Sequence, residues 1–247
     1  MPLEFTAPGE NPEPTDDPHL HPRAVIFDLS NTLMQASDAQ YQLDRFVAQE
    51  YFGFDLDERE FARLAAEYRN VEELLPALFQ QPNMPYEEIL AHIRAHQADF
   101  PREPYDDTVP TLNALLQAEV PFTIVTGGSR AWVETDMARL EQEGIDVDHI
   151  ALIQPQEGLG LPGKPHPAAL QPSLEVFAER GIVDRAEIAK VGDDITDLQA
   201  AHGAGIPFIG VTTGRTTAEE FQAAGAELIV PRLHEILRII HGEVEER

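Results

Sequence analysis

Four short clusters of polar residues stand where apolar runs end, and their side chains suit the handling of a phosphoryl group. They are Phe27-Asp28-Leu29-Ser30-Asn31-Thr32-Leu33, Thr126-Gly127-Gly128-Ser129, Gly163-Lys164-Pro165-His166-Pro167 and Gly192-Asp193-Asp194-Ile195-Thr196-Asp197. A carboxylate can attack phosphorus and carry the group as an aspartyl-phosphate. Further carboxylates can hold a hard cation that neutralises phosphate oxygens. A hydroxyl, exposed amides and a lysine can bind those oxygens. Each cluster alone has a plainer reading: an Asp after a strand also serves as a turn residue or helix cap, Thr-Gly-Gly is a common turn, and a lysine can simply be solvated. Their shared position at the ends of apolar runs argues for one site.

The elements that would position them are legible from periodicity. Arg23-Ala-Val-Ile-Phe-Asp28 is short and apolar and ends in turn formers, which predicts a buried parallel strand. After residue 105, helices alternate with strands: helix 108–118, strand 121–126, helix 130–143, strand 149–153, helix 167–180, strand 187–191, helix 196–203, strand 206–211, a strand near 227–230 and helix 232–240. Such alternation predicts βαβ units and a Rossmann-like, doubly wound parallel α/β sheet, with ligands at the carboxyl ends of its strands.

Between the first strand and this series lies a helical block, residues 38–104. Leu43, Phe46, Val47 and Tyr51 share one helix face. Asp57 and Glu60 form a candidate capping box, with Leu56 and Phe61 placed as a hydrophobic staple. Pro85 suits a first helical turn. No strand signal interrupts the block, which predicts a small all-helical subdomain. The expected organisation is a proline-rich acidic tail over 1–22, an α/β core over 23–37 and 105–247, and a helical cap over 38–104.

Composition limits the partners. The 247 residues carry 17 basic and 44 acidic side chains, a net charge of −27. That field repels nucleic-acid phosphates and anionic membranes, so neither is an expected partner. It reads either as an ordinary solvated surface or as adaptation to a salty cytosol. No apolar run reaches the ~18 residues of a membrane span, and no basic region precedes an apolar stretch at the N-terminus, so a cytoplasmic protein is expected. There is no cysteine, which removes thiol nucleophiles and thiolate metal sites. Only Lys164 and Lys190 are lysines. Lys190 is expected to tolerate substitution better than Lys164.

Two other patterns compete for attention. Gly158-Leu-Gly160-Leu-Pro-Gly163-Lys164 imitates both a dinucleotide fingerprint and the start of a P-loop. Pro165 stands where a P-loop needs Ser or Thr, and Pro162 removes an amide from the supposed cradle. His92 and His96 have the i, i+4 spacing that can bind zinc, but without H-E-x-x-H they read as partly exposed helix histidines. Arg45, Arg63, Arg69 and Arg94 read singly as a solvated face, and His166 as either a site or a surface residue.

The order strand-Asp-x-x-x-Thr, strand-Thr, Lys-Pro-x-Pro, Gly-Asp-x-x-x-Asp resembles the haloacid dehalogenase superfamily over residues 23–36 and 105–240, with the helical block where that family carries its small cap. The resemblance implies a Mg²⁺-dependent hydrolase acting on a small phosphorylated molecule. It implies Asp28 as nucleophile and Thr126, Gly127 and Lys164 around the phosphate. It implies Asp28, the Ser30 carbonyl and Asp193 as metal ligands, with Asp197 as a supporting acid. It assigns neither substrate identity nor oligomeric state.

One position departs from the pattern. Phosphatases of this family usually carry a second Asp two residues after the nucleophile, which protonates the leaving group and then activates water. Here Ser30 stands there, and a hydroxyl cannot serve as an acid or base near neutral pH. General acid–base catalysis is worth typically ~10²–10⁴-fold, so slow turnover is expected. A second function class follows: a weakly active or non-catalytic relative that binds a phosphorylated ligand or a partner. Phosphonatase chemistry, which needs a cap lysine, is disfavoured because no lysine lies between Asp28 and Thr126.

Overall fold

Ala24, Val25, Ile26 and Phe27 form β1 (Ala24–Phe27), at the centre of the molecule and at most 1% exposed. Alternate side chains of a strand point to opposite faces. Val25 and Phe27 accordingly join one apolar cluster, and Ala24 and Ile26 the other. A strand buried on both faces has no polar edge to its pattern, which is why this run reads as continuous hydrophobe. The computed structural model describes residues 21–68, 71–156 and 160–242. The expected tail lies almost wholly outside them, as do Arg69 and Gly158.

Five further strands flank β1: β4 (Phe122–Thr126), β5 (Leu152–Pro155), β6 (Ile188–Gly192), β7 (Phe208–Val211) and β8 (Leu228–Val230). All pair in parallel, in the order β5-β4-β1-β6-β7-β8. The chain winds outward from β1 through β4 to β5, then returns to β6 and winds the other way. The direction reverses beside β1, which opens a crevice at the carboxyl ends of β1, β4 and β6. Helices α5 (Thr108–Gln117), α6 (Arg130–Gln142) and α10 (Ile236–Ile240) cover one face. Helices α7 (Gln171–Glu179), α8 (Ile195–Ala204) and α9 (Ala218–Ala223) cover the other.

Helices α1 (Ala36–Val47), α2 (Glu58–Glu67), α3 (Val71–Leu78) and α4 (Tyr86–His96) pack around their own apolar cluster, which Trp132 of α6 joins from the sheet side. Leu56 and Phe61 are both buried beside the start of α2. Asp57 caps that helix through the Glu60 amide at 3.0 Å, but the Glu60 carboxylate turns to Arg63 instead of closing the box. Pro85 precedes α4 and accepts the Ile89 amide, rather than lying inside the first turn. The block is also entered and left through strand: β2 (Met34–Gln35) and β3 (Glu103–Pro104) form a short antiparallel ribbon. Two residues per strand, one of them proline, give no periodic signal. Further along, Val147-Asp148-His149 winds into a short 3₁₀ turn, which displaces the expected strand 149–153 to Leu152–Pro155. Among the described residues no helix is long and apolar enough to cross a membrane.

Candidate active site

Three of the four polar clusters end their strands at the crevice, and the loop after β5 supplies the fourth. Asp28 follows β1, Thr126 closes β4 and Asp193 follows β6. Asp194 caps α8 by accepting the Thr196 amide at 2.9 Å, which places Asp197 one turn into that helix. The carboxylates of Asp28, Asp193 and Asp197 are all buried, and one oxygen of each lies within 4.8 Å of the others. Lys164 reaches both Asp28 and Asp197, the latter at 2.8 Å. Thr32 Oγ1 donates to Asp193 Oδ1 at 3.0 Å. The turn carrying Ser30 and Thr32 is held by Asn31, whose backbone is left-handed (φ 57) and whose Oδ1 accepts the Ala36 and Ser37 amides.

Two glycines make room for these acids. A Cβ at position 214 would stand 1.7 Å from Asp193 Oδ2, and one at position 192 would stand 2.5 Å from Asp197 Cγ. Both distances are far inside van der Waals contact, so only glycine lets the carboxylates sit there.

The electrostatics are those of crowded anions. Two unit charges no more than 4.8 Å apart at an effective dielectric of about 20 repel by at least about 3.5 kcal/mol. Burial pushes Asp193 well above the usual carboxylate range, and the charges of Asp28 and Asp197 push it further. Burial also raises Asp28, against the pull of Lys164. Burial opposes ionisation of Asp197 as well, but Lys164 and Lys190 together hold its pKa below the ordinary value. For Lys164, burial is outweighed by Asp197 and Asp28, and its pKa rises. An all-oxygen donor set in which two acids resist ionising is one that a hard dication would fit.

Thr126 is 1% exposed, and its Oγ1 accepts the Gly128 amide at 3.1 Å. Gly127 is exposed at the tip of that turn. His166 is occupied locally: its Nδ1 accepts the Ala168 amide and caps the turn that follows Lys164. Arg45 pairs with Asp55, and Arg63 with Glu60 and Glu67, on the solvated surface of the helical block.

Lys190 is tied into the same buried cluster. It is wholly buried and shares the sheet face of Ile188. Its Nζ donates to the Val191 carbonyl at 2.9 Å and pairs with Asp197 Oδ1 at 2.8 Å. The strand's alternation places residue 190 on an inward face, but lysine is a residue type rarely found there.

Ser30 also has a partner that no motif announced. Its Oγ accepts from Arg102 Nη1 at 2.9 Å. Arg102 is 5% exposed, makes a two-pronged ion pair with fully buried Asp136, and lies 3.8 Å from the ring centroid of Trp132. Burial raises Asp136 to about 6 even though Arg102 favours its charged form.

The sequence profile of the haloacid dehalogenase-like hydrolases matches residues 25–211. A phosphoglycolate phosphatase of Pectobacterium atrosepticum is 32% identical over 130 residues, 53% of this chain and 52% of that one, so the chain matches about half of that relative's length. A protein of Dickeya dadantii named "Probable phosphatase IndB" is 31% identical over 164 residues, 63% of this chain and 67% of its own. Among solved structures, CbbY of Rhodobacter sphaeroides in complex with phosphate shares the fold, with a TM-score of 0.68 at 18% identity over 87% of this chain and 96% of that one.

Proposed function

The chain belongs to the haloacid dehalogenase-like hydrolase family, and from that membership we propose that it is a Mg²⁺-dependent phosphatase of a small phosphorylated metabolite, working through an aspartyl-phosphate on Asp28. The observation that carries this reading is the cluster of Asp28, Asp193 and Asp197 bridged by Lys164 at the sheet's switch point. The curated relatives named as phosphatases support it. Helices α1–α4 would be the cap that closes over the crevice and sets specificity.

Asp28, the Ser30 carbonyl and Asp193 would hold the magnesium ion, which supplies charge neutralisation for phosphate and carboxylate. Asp28 attacks phosphorus: an O–P bond to the carboxylate forms as the bond to the leaving oxygen breaks. Lys164 favours the ionised form of Asp28 against the cost of its burial and faces the phosphate oxygens with a fixed positive charge. Asp197 and Lys190 hold Lys164 at its station. Thr126 and the Gly127 turn would donate to the remaining phosphate oxygens. Water then attacks the phosphoenzyme and releases phosphate.

The leaving-group side differs. Arg102 anchors the Ser30 hydroxyl, and a guanidinium stays protonated, so neither group donates a proton near neutral pH. Ser30 therefore supports slow turnover, a phosphoenzyme that accumulates, and a preference for acyl and aryl phosphates over alkyl ones. The binding-only reading draws on the same residue.

Incubation with Mg²⁺ and acetyl phosphate, followed by mass spectrometry, tests the choice. We expect turnover with phosphate on Asp28, absent from Asp28→Asn and from chelated buffer. Unchanged activity after thorough chelation would refute the metal's role. A phosphate mimic that binds without any turnover or phosphoenzyme would leave the binding-only reading standing.

A further inference from the structure

A second group of ligating side chains lies in the helical block. We infer that Glu50, His92 and His96 form a binding site for a divalent transition ion of the zinc class. Each offers one ligand atom, and the three atoms lie within 4.8 Å of one another. The histidines stand one turn apart on α4. Glu50 arrives from 42 positions earlier in the chain, with Oε2 2.8 Å from His92 Nε2.

What brings Glu50 there is a break in helical register. After α1 the chain continues as a π-helical turn, Ala48–Phe52, closed by Gly53 in the left-handed region (φ 70). A π turn holds an extra residue and rotates the side chains within it, and such turns are frequent at functional sites.

The surroundings are those of a ligand set. His96 Nδ1 bonds Asp99 Oδ2 at 2.8 Å, which fixes the ring and leaves Nε2 as the nitrogen for an ion. A carboxylate behind a histidine in this way orients and strengthens a metal ligand. Phe46 packs on both imidazoles and Tyr51 on His92, so the rings have little freedom to lose on binding. The plainer account is two separate surface ion pairs. It gives no reason for two imidazole rings with centroids 4.5 Å apart and a carboxylate from 42 positions earlier to converge on one point. One dication shared by the two imidazoles and Glu50, with Asp99 behind His96, would account for that convergence. Imidazole nitrogens select zinc-like ions over magnesium, which separates this site from the all-oxygen cluster at Asp28. An ion there would tie the end of α1 to α4.

The test uses the full chain carrying Asp193→Asn, in excess Mg²⁺, titrated with Zn²⁺ by calorimetry and with Co²⁺ by visible absorption. We expect one equivalent to bind, with a Co²⁺ spectrum of histidine ligation. His92→Ala and His96→Ala should each weaken Zn²⁺ binding at least tenfold, and Asp99→Asn about tenfold. Glu50→Gln, an exposed and nearly isosteric change, should weaken binding while leaving the circular dichroism and the Mg²⁺-dependent turnover of the otherwise unaltered chain unchanged. Zinc binding that vanishes with Asp193→Asn, or that survives all three ligand substitutions, would overturn the inference.

Discussion

Two buried charge groups meet at the turn that carries Asp28 and Ser30, and they are balanced differently. On one side three carboxylates, Asp28, Asp193 and Asp197, face two ammonium groups, Lys164 and Lys190. With every group charged, three negative charges would face two positive, a surplus that burial resists at Asp28 and Asp193 and that a bound cation would offset. On the other side Arg102 and Asp136 neutralise each other, with Trp132 against the guanidinium and Ser30 as its remaining partner. Buried ion pairs rarely stabilise a fold over apolar substitutes, but removing one partner costs about 3–5 kcal/mol. The open group is suited to receive a metal and a phosphate, and the closed group to hold a side chain still.

The largest effect should fall on the open side. We expect Lys164→Ala to lower turnover at least tenfold, because it removes the cation facing the phosphate. Lys190→Ala should act elsewhere. It strips one of two partners from Asp197 and leaves a cavity, so unfolding free energy should drop by about 3–5 kcal/mol. The turnover of its folded fraction should suffer less than that of Lys164→Ala. Urea unfolding and initial rates on one phosphate ester, measured for both variants, separate these outcomes. Equal losses of turnover would mean that the two lysines share one role.

This contrast also marks what the sequence exposes. Asp28, Thr126 and Asp193 are legible because each ends or follows an apolar run, and strand ends converge at a switch point whatever the loops do; Lys164 is legible from its Lys-Pro-x-Pro setting and as one of only two lysines. The parallel character of the sheet follows from the same alternation. Arg102 and Asp136 are not legible. They are 34 positions apart, lie in no motif, and meet only because the β2–β3 ribbon returns the chain beside α6. Glu50 escapes for a similar reason, since a π turn breaks the 3.6-residue period by which a helix face is read. The buried state of Lys190 is hidden by its type: lysines are almost never fully buried unless paired, and its partner Asp197 reads from the motif as a mere support.

A smaller effect is expected at Ser30. From sequence alone, Ser30→Asp should restore acid–base help and raise turnover of alkyl phosphates more than of aryl ones, since alkoxides need the proton more. The Arg102 contact tempers that. A carboxylate at position 30 would accept from Nη1, and a neighbouring guanidinium favours its charged form, making it a weaker donor. We therefore expect a gain on alkyl phosphates below the ~10²-fold floor of a well-tuned acid, and almost none on aryl phosphates. A gain of ~10²-fold or more would show that Arg102 does not govern this position. An equal gain on both substrates would show that proton donation is not what Ser30 lacks.

The smallest effect, and the one with the clearest sign, concerns Asp136. Burial raises its pKa to about 6, whereas an Asp in the unfolded chain titrates near ~3.9. The folded protein therefore binds this proton more tightly, and the associated stability is present below about pH 4 and lost as the pH climbs through about 6. The gap between the folded and unfolded values corresponds to about 3 kcal/mol. Asp197 has the opposite slope: its depressed pKa gives stability above the unfolded value that is lost as the solution is acidified. Urea unfolding of wild type, Asp136→Asn and Asp197→Asn from about pH 2 to about pH 8 would read both slopes, that of Asp197 below about pH 4 and that of Asp136 between about pH 4 and 6, and taking differences from wild type removes the acids remote from each site. We expect Asp136→Asn to gain on wild type as the pH rises, and Asp197→Asn to lose on it. If Asp136→Asn also loses ground with rising pH, then the attraction of Arg102 exceeds the cost of burying the carboxylate, and the closed group stabilises the fold in its charged form.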